Sequence, residues 1–127
     1  MPKVYVLDIG IRNYLLRSFN NLNLDQGGII ENFVYNTLLT QYTKDYIHFY
    51  RTNSGSEIDF VIEDRNNLLT LCEVKYRNKV SVPVIMKNFA ERYDNVGKKI
   101  IITKDILKKD AEVFFIPAAL LPFIKLV

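Results

Sequence analysis

The chain has 127 residues, 49% of them hydrophobic and 24% charged, with a formal net charge of +3. This length suits one domain around a single sizeable core, and the composition excludes a disordered or low-complexity chain. The mild positive charge permits a phosphate-bearing substrate but falls short of what a nonspecific nucleic-acid coat carries, and the single cysteine, Cys72, excludes an internal disulfide and a thiolate zinc cluster.

Lys3–Leu7 alternates and predicts a short strand, entered at once and without signal-peptide anatomy. So abrupt a start is expected of a domain cut from a longer chain. Asp8 stands where a helix N-cap belongs, ahead of the apolar positions Ile11, Leu15 and Leu16. The polar stretch Asn20–Gln26 predicts a loop that ends in Gly27-Gly28. From there to about Tyr42 the residues Ile30, Phe33, Val34, Thr37, Leu38 and Gln41 recur at helical intervals and form one face. Glu31 falls at the edge of that stripe, a position suited to a carboxylate looking into a cleft beside the core. Three strands follow, Ile47–Arg51, Glu57–Ile62 and Leu68–Lys75, and their short connections predict an antiparallel meander. Cys72 lies in the last of them and reads as a small core residue of a reduced, cytoplasmic protein. Pro83 opens a helix that carries Ile85, Phe89 and Tyr93 and is expected to stop near Gly97. Lys99–Thr103 and Glu112–Ile116 read as further strands, and Pro117–Val127 as a short apolar helix or capping tail. No apolar run approaches the length of a membrane span. This succession predicts an α/β fold, a mixed β-sheet flanked by helices, in one domain over residues 1–127.

The chemistry is concentrated on two of these strands. Strict alternation puts Ile58, Phe60 and Ile62 on a core face and Glu57, Asp59 and Val61 on the other. Glu73 and Lys75, two residues apart, share a face. A carboxylate and an ammonium at the end of an otherwise apolar strand are costly to leave uncompensated. A divalent metal would compensate them: Mg²⁺ takes one or two carboxylates and completes its shell with water and phosphate oxygens. Asp59 and Glu73 are the expected ligands, with the Val74 backbone carbonyl as a further oxygen and Lys75 beside an attacking water.

This arrangement resembles the PD-(D/E)XK nuclease superfamily, whose motif is a helical Glu, an Asp on one strand and Glu-x-Lys on the next. The matching residues are Glu31 in Gly27-Gly-Ile-Ile-Glu31, Asp59 in Ser56-Glu-Ile-Asp59, and Glu73-Val-Lys75. The surrounding text, Lys3-Val-Tyr-Val-Leu-Asp-Ile-Gly10 and Tyr50-Arg-Thr52 included, is similar to the nuclease-like domain C-terminal to many bacterial and archaeal AAA-type ATPases. The resemblance implies a restriction-endonuclease-like fold and hydrolysis of DNA, less readily RNA, with Mg²⁺ or Mn²⁺. It implies Asp59 and Glu73 as metal ligands, Lys75 as the residue that activates or positions water, and Glu31 as an orienting group or additional ligand. Ile58 replaces the superfamily's nominal proline. No Gly-x-x-x-x-Gly-Lys-Ser/Thr loop is present, so an ATPase module is expected outside this chain.

Plainer roles stand beside these. Glu73 and Lys75 could form a surface ion pair worth roughly 0–1 kcal/mol, Asp59 could pair with Arg51, and Glu31 could simply favour the positive helix end. Glu57 is expected in solvent, Asp8 as a cap, and His48 in a structural or surface role. Arg77, Lys79, Lys87, Lys98 and Lys99 read as solvated surface before they read as a phosphate track. Two functional alternatives remain: a catalytically silent nucleic-acid- or protein-interaction module of an AAA-type ATPase, and a junction resolvase acting as a homodimer.

Overall fold

The computed structural model describes residues 2–16 and 26–126. A six-stranded mixed sheet forms its centre, built from β1 (Ile47–Arg51), β2 (Glu57–Glu63), β3 (Leu69–Lys75), β4 (Val96–Thr103), β5 (Lys108–Asp110) and β6 (Val113–Pro117). Their spatial order is β1-β2-β3-β4-β6-β5. The first three form the expected antiparallel meander, and β3, β4 and β6 run parallel to one another. Among the described residues three α-helices accompany the sheet: α1 (Ile9–Leu15), α2 (Gln26–Gln41) and α3 (Val84–Arg92). Among the described residues no helix is long and apolar enough to cross a membrane.

Both faces of the sheet are covered. On one, Val34 and Leu38 of α2 meet Phe60, Ile62, Cys72, Ile100 and Ile102, closed by Ala118 and Leu121 of the 3₁₀ turn Ala118–Phe123. On the other, Met86 and Phe89 of α3 meet Ile58, Val61, Leu71, Ile101 and Phe115. The apolar runs of β3 and β4 follow from this double burial, because a central strand covered on both sides carries apolar residues at successive positions. Cys72 is fully buried. Burial first, and the Asp59 and Glu73 charges second, push its thiol well above the ordinary range, so it is an inert core residue.

Ile58 belongs with Val61, and not with Phe60 and Ile62 as strict alternation predicts. His48 pairs with Val61 but Tyr50 pairs with Ile58, so Asp59 and Phe60 of β2 stand opposite the single residue Phe49 of β1. This is a β-bulge, and such an insertion bends the strand and re-aims the side chain at the extra position. Here the re-aimed side chain is Asp59.

Other expectations shift for local reasons. Lys3–Leu7 is not a strand, because among the described residues no strand lies beside it. It runs along α2, where the buried amide of Asn32 accepts from the Val6 N–H at 3.0 Å and donates to the Val6 carbonyl at 2.7 Å, doing the work of a neighbouring strand. Asp8 caps α1 as expected, its carboxylate accepting from the Ile11 N–H at 3.0 Å. α1 nevertheless buries none of its residues, and Ile11, Leu15 and Leu16 are each more than half exposed. Most of the loop predicted over Asn20–Gln26 lies outside the described residues; Gln26, Gly27 and Gly28 already belong to α2. α3 ends at Arg92, and Gly97 lies within β4, close against Leu69 of β3.

Candidate active site

The antiparallel register of β2 and β3 is continuous from Glu63↔Leu69 to Phe60↔Cys72. One step further Asp59 and Glu73 face each other, and here side chains take over from the backbone ladder. The Asp59 N–H donates to Glu73 Oε2 at 3.1 Å, and the Val74 N–H donates to Asp59 Oδ2 at 2.9 Å. Each carboxylate is thus tied to the opposite strand, which fixes both at the splayed strand ends. Both residues are buried, Asp59 to 6% and Glu73 to 4% exposure. The place is the C-terminal end of β3, where Lys75 lies in register with Thr103 of β4 and so beside the carboxyl ends of the parallel strands. Such ends are where open α/β sheets build their crevices.

Lys75 reaches back along β3 and places its ammonium 2.8 Å from Glu73 Oε1. The Glu73 carboxyl still lies above its ordinary range. Burial is the main cause and the neighbouring Asp59 charge the second, and Lys75 offsets them only in part. Glu31, from the first turns of α2, lines the same cleft, together with Ser56, Glu57, Val74 and Pro83–Ile85. The cleft has a volume of about 510 Å³. All four residues singled out from the sequence therefore meet in one place. The alternative pairing of Asp59 with Arg51 gives way to a pairing with Lys3.

Lys3 and Tyr5 are the members that sequence reasoning missed. Lys3 Nζ lies 3.0 Å from Glu31 Oε1, 3.0 Å from Asp59 Oδ1 and 3.6 Å from Glu57 Oε1. The Tyr5 hydroxyl donates to the same Glu31 oxygen at 2.6 Å. Burial alone would lower the Lys3 ammonium, but Asp59 and Glu31 outweigh it and hold its pKa above the ordinary 10.5. Burial, reinforced by Glu31, likewise pushes the Tyr5 phenol up, so it remains a donor. The usable signal was the alternation of residues 3 and 5, which puts Lys and Tyr on one side of an extended segment. Their target, more than 25 residues away in sequence, was not visible. Glu57, expected in solvent, is drawn to the cleft rim by Lys3.

The remaining candidates separate. His48 is exposed on β1, its Nε2 3.5 Å from Glu63. Lys87 and Lys99 line a different depression, beside Glu91, Asp94 and Glu112, and Lys98 reaches the Leu126 carbonyl.

With all groups ionised, Glu31, Glu57, Asp59 and Glu73 outnumber Lys3 and Lys75 by two negative charges. Among the described residues no three His, Cys, Asp or Glu side chains converge as a ready metal cage; Lys3 stands between them. The donor set nonetheless fits Mg²⁺ or Mn²⁺. Asp59 and Glu73 present adjacent hard oxygens whose charge Lys3 and Lys75 balance only in part across the cleft, and Mg²⁺ characteristically takes only one or two carboxylates and leaves other positions to water and substrate phosphate.

Comparison with known families finds a match over residues 26–121 to a family model described as "Domain of unknown function (DUF4143)". No curated protein matches the chain. A solved structure, described as a refined half-complex from a tetradecameric assembly of Thermococcus gammatolerans McrB AAA+ hexamers with bound McrC, aligns at 12% identity and a TM-score of 0.43. The alignment covers 72% of this chain and 27% of that one.

Proposed function

We propose that this chain, which belongs to the DUF4143 family of domains, is a restriction-endonuclease-like, divalent-metal-dependent phosphodiesterase that hydrolyses nucleic acid, DNA in preference to RNA. One observation carries the reading: Asp59 and Glu73 are locked face to face by reciprocal backbone hydrogen bonds, with Lys75 on Glu73 and Glu31 across the same cleft. In hydrolysis a water oxygen bonds to phosphorus, one ester P–O bond breaks, and the water proton passes to the departing oxygen through solvent. Asp59, Glu73 and the Val74 carbonyl would hold Mg²⁺ or Mn²⁺, with Glu31 as a further contributor. The ion, when bound, supplies Lewis-acid polarisation and neutralises charge on the phosphate. Lys75, as a cation, orients the attacking water and offsets charge that develops on the phosphate oxygens. Glu31 orients that water from the helix side.

The test is cleavage of single-stranded, duplex and branched DNA, and of RNA, with Mg²⁺ or Mn²⁺. Asp59→Asn and Lys75→Ala are each expected to lower the rate by about 10²-fold or more, the loss typical when one preorganised electrostatic group is removed. Unchanged rates in both variants would sink the reading. A second reading is an interaction module of an AAA-type ATPase in a longer parent chain, with the fold kept and cleavage lost. The uncovered apolar residues of α1 favour it, and its mark is metal-independent binding to a partner with no cleavage of any substrate.

A further inference from the structure

The acidic cleft already contains a cation. Lys3 Nζ has oxygen neighbours from two elements, Glu31 of α2 and Glu57 and Asp59 of β2, all within 3.6 Å. Several carboxylate oxygens around one positive charge is the environment a hard divalent ion seeks. The segment that delivers Lys3 is fastened differently from the rest of the fold. It belongs to no sheet, and its attachments near the cleft are side-chain ones: the Asn32 amide on Val6, Asn36 on the Val6 and Leu7 carbonyls, the Tyr5 hydroxyl on Glu31 and the Tyr5 ring stacked on Tyr35. Lys75, by contrast, is carried by a central strand paired on both sides. Of the two ammonium groups, Lys3 is the one that the sheet does not carry.

A divalent ion on Asp59 and the Lys3 ammonium on Asp59 Oδ1 would be like charges a few ångströms apart in a partly buried site, where screening is weak. Both cannot be held there at full strength. Losing Lys3 without a replacement is equally unfavourable, because it leaves Glu31, Glu57 and Asp59 facing one another with no counter-charge.

We infer that Lys3 is a built-in occupant of the cation position, holding the carboxylates together while no divalent ion is bound and withdrawing when one binds, so that it sets the affinity of the cleft for the ion. This rests on the cation-binding part of the proposed function and adds to it a residue from outside the motif. A permanently fixed ion pair makes the opposite prediction: its removal loosens the carboxylates and weakens ion binding.

The experiment uses the full 127-residue chain with Mn²⁺ as the probe, following binding by calorimetry and stability by thermal melting. Lys3→Met keeps the aliphatic length and removes the charge. It is expected to bind Mn²⁺ at least roughly tenfold more tightly than wild type, as removal of one opposing charge at close range implies. It should melt lower than wild type without the ion and recover that deficit at saturating Mn²⁺. Lys3→Arg, which keeps the charge, should stay near wild type in affinity. Should Lys3→Met fail to fold, reductive methylation of the wild-type protein decides: the Lys3 amine should react faster once Mg²⁺ is bound. If wild type binds Mn²⁺ but Lys3→Met binds it equally or more weakly, or Mg²⁺ leaves Lys3 reactivity unchanged, the inference is overturned while the metal site stands. If neither protein binds Mn²⁺, both fall.

Discussion

Glu73 illustrates how a position in the proposed site opposes stability. Its carboxyl has a folded-state pKa above the ordinary 4.5, first because it is buried and second because Asp59 is negative, with Lys75 compensating in part. The folded chain therefore binds that proton more tightly than the unfolded chain does. Between the two pKa values the Glu73 contribution to stability falls as pH rises, the reverse of an ordinary salt-bridged carboxylate. Gln at this position has no charge to desolvate and still offers an oxygen to the Asp59 N–H. Without divalent ions, Glu73→Gln is expected to be more stable than wild type at pH 7 by about 0.5–2 kcal/mol, the usual gain when a functional group is neutralised. The advantage should shrink toward zero as pH falls below 4.5. Melting both proteins from pH 4 to 8 checks this, and an advantage that grows toward low pH would contradict it. Lys3 and Tyr5 are the counterpart on α2's side: one partly buried ammonium and one phenol that reach the same oxygen of Glu31, the ammonium holding Asp59 as well.

Among the elements, the β5–β6 hairpin shows a local choice that can be improved. Asp110 pairs with Val113, so the loop is Ala111-Glu112, and Ala111 has φ +50°. A two-residue hairpin with a positive φ at its first central position prefers glycine there, since a Cβ crowds the backbone. Ala111→Gly is expected to stabilise the protein by up to about 1 kcal/mol, read as a higher denaturant midpoint with an unchanged slope; no change would mean the loop adopts another turn. The same reasoning explains how much of the fold could be read in advance. The meander and the core of α2 and α3 were legible because turn residues delimit the apolar strands and apolar residues recur at helical intervals in both helices, and the four-residue constellation was legible because each member sits within such an element. β5 is a polar, exposed Lys-Lys-Asp, which carries no burial pattern at all. The bulge at Asp59-Phe60 breaks the alternation of β2 by one residue, and a period carried straight through it assigns Ile58 to the wrong face. The N-terminal segment has the alternation of a strand but takes its hydrogen bonds from an asparagine side chain, a long-range substitution that no local pattern announces.

Taken whole, the molecule carries a net +3 yet draws its most buried charges together into a cleft with an excess of negative charge. These two facts pull a nucleic acid in opposite directions. The overall charge favours approach, because electrostatic steering depends on the summed field. The cleft itself repels phosphate, since Asp59 and Glu73 lie at its floor and Lys3 and Lys75 are already engaged with carboxylates. Lys87, Lys98 and Lys99 are not among the residues that line the cleft, and Lys98 reaches the Leu126 carbonyl while Lys99 pairs with Glu112. Under the proposed phosphodiesterase function, a substrate phosphate settles beside Asp59 only if a cation arrives with it or before it. Ca²⁺, an oxygen-seeking ion of the same charge that commonly binds where Mg²⁺ does without supporting cleavage, separates binding from chemistry. In EDTA the protein should bind short DNA weakly and with a shallow salt dependence, reflecting a few surface phosphate contacts. Adding Ca²⁺ should tighten binding by roughly tenfold or more, the effect of relieving like-charge repulsion at one phosphate. Asp59→Asn should abolish the response to Ca²⁺ and leave the binding in EDTA as strong as wild type or stronger, because it removes negative charge from the floor of the cleft. Fluorescence anisotropy with and without Ca²⁺ on both proteins measures all four affinities. Binding that is equally tight in EDTA and Ca²⁺ would mean that nucleic acid docks elsewhere, and the acidic cleft would lose its claim to the phosphate.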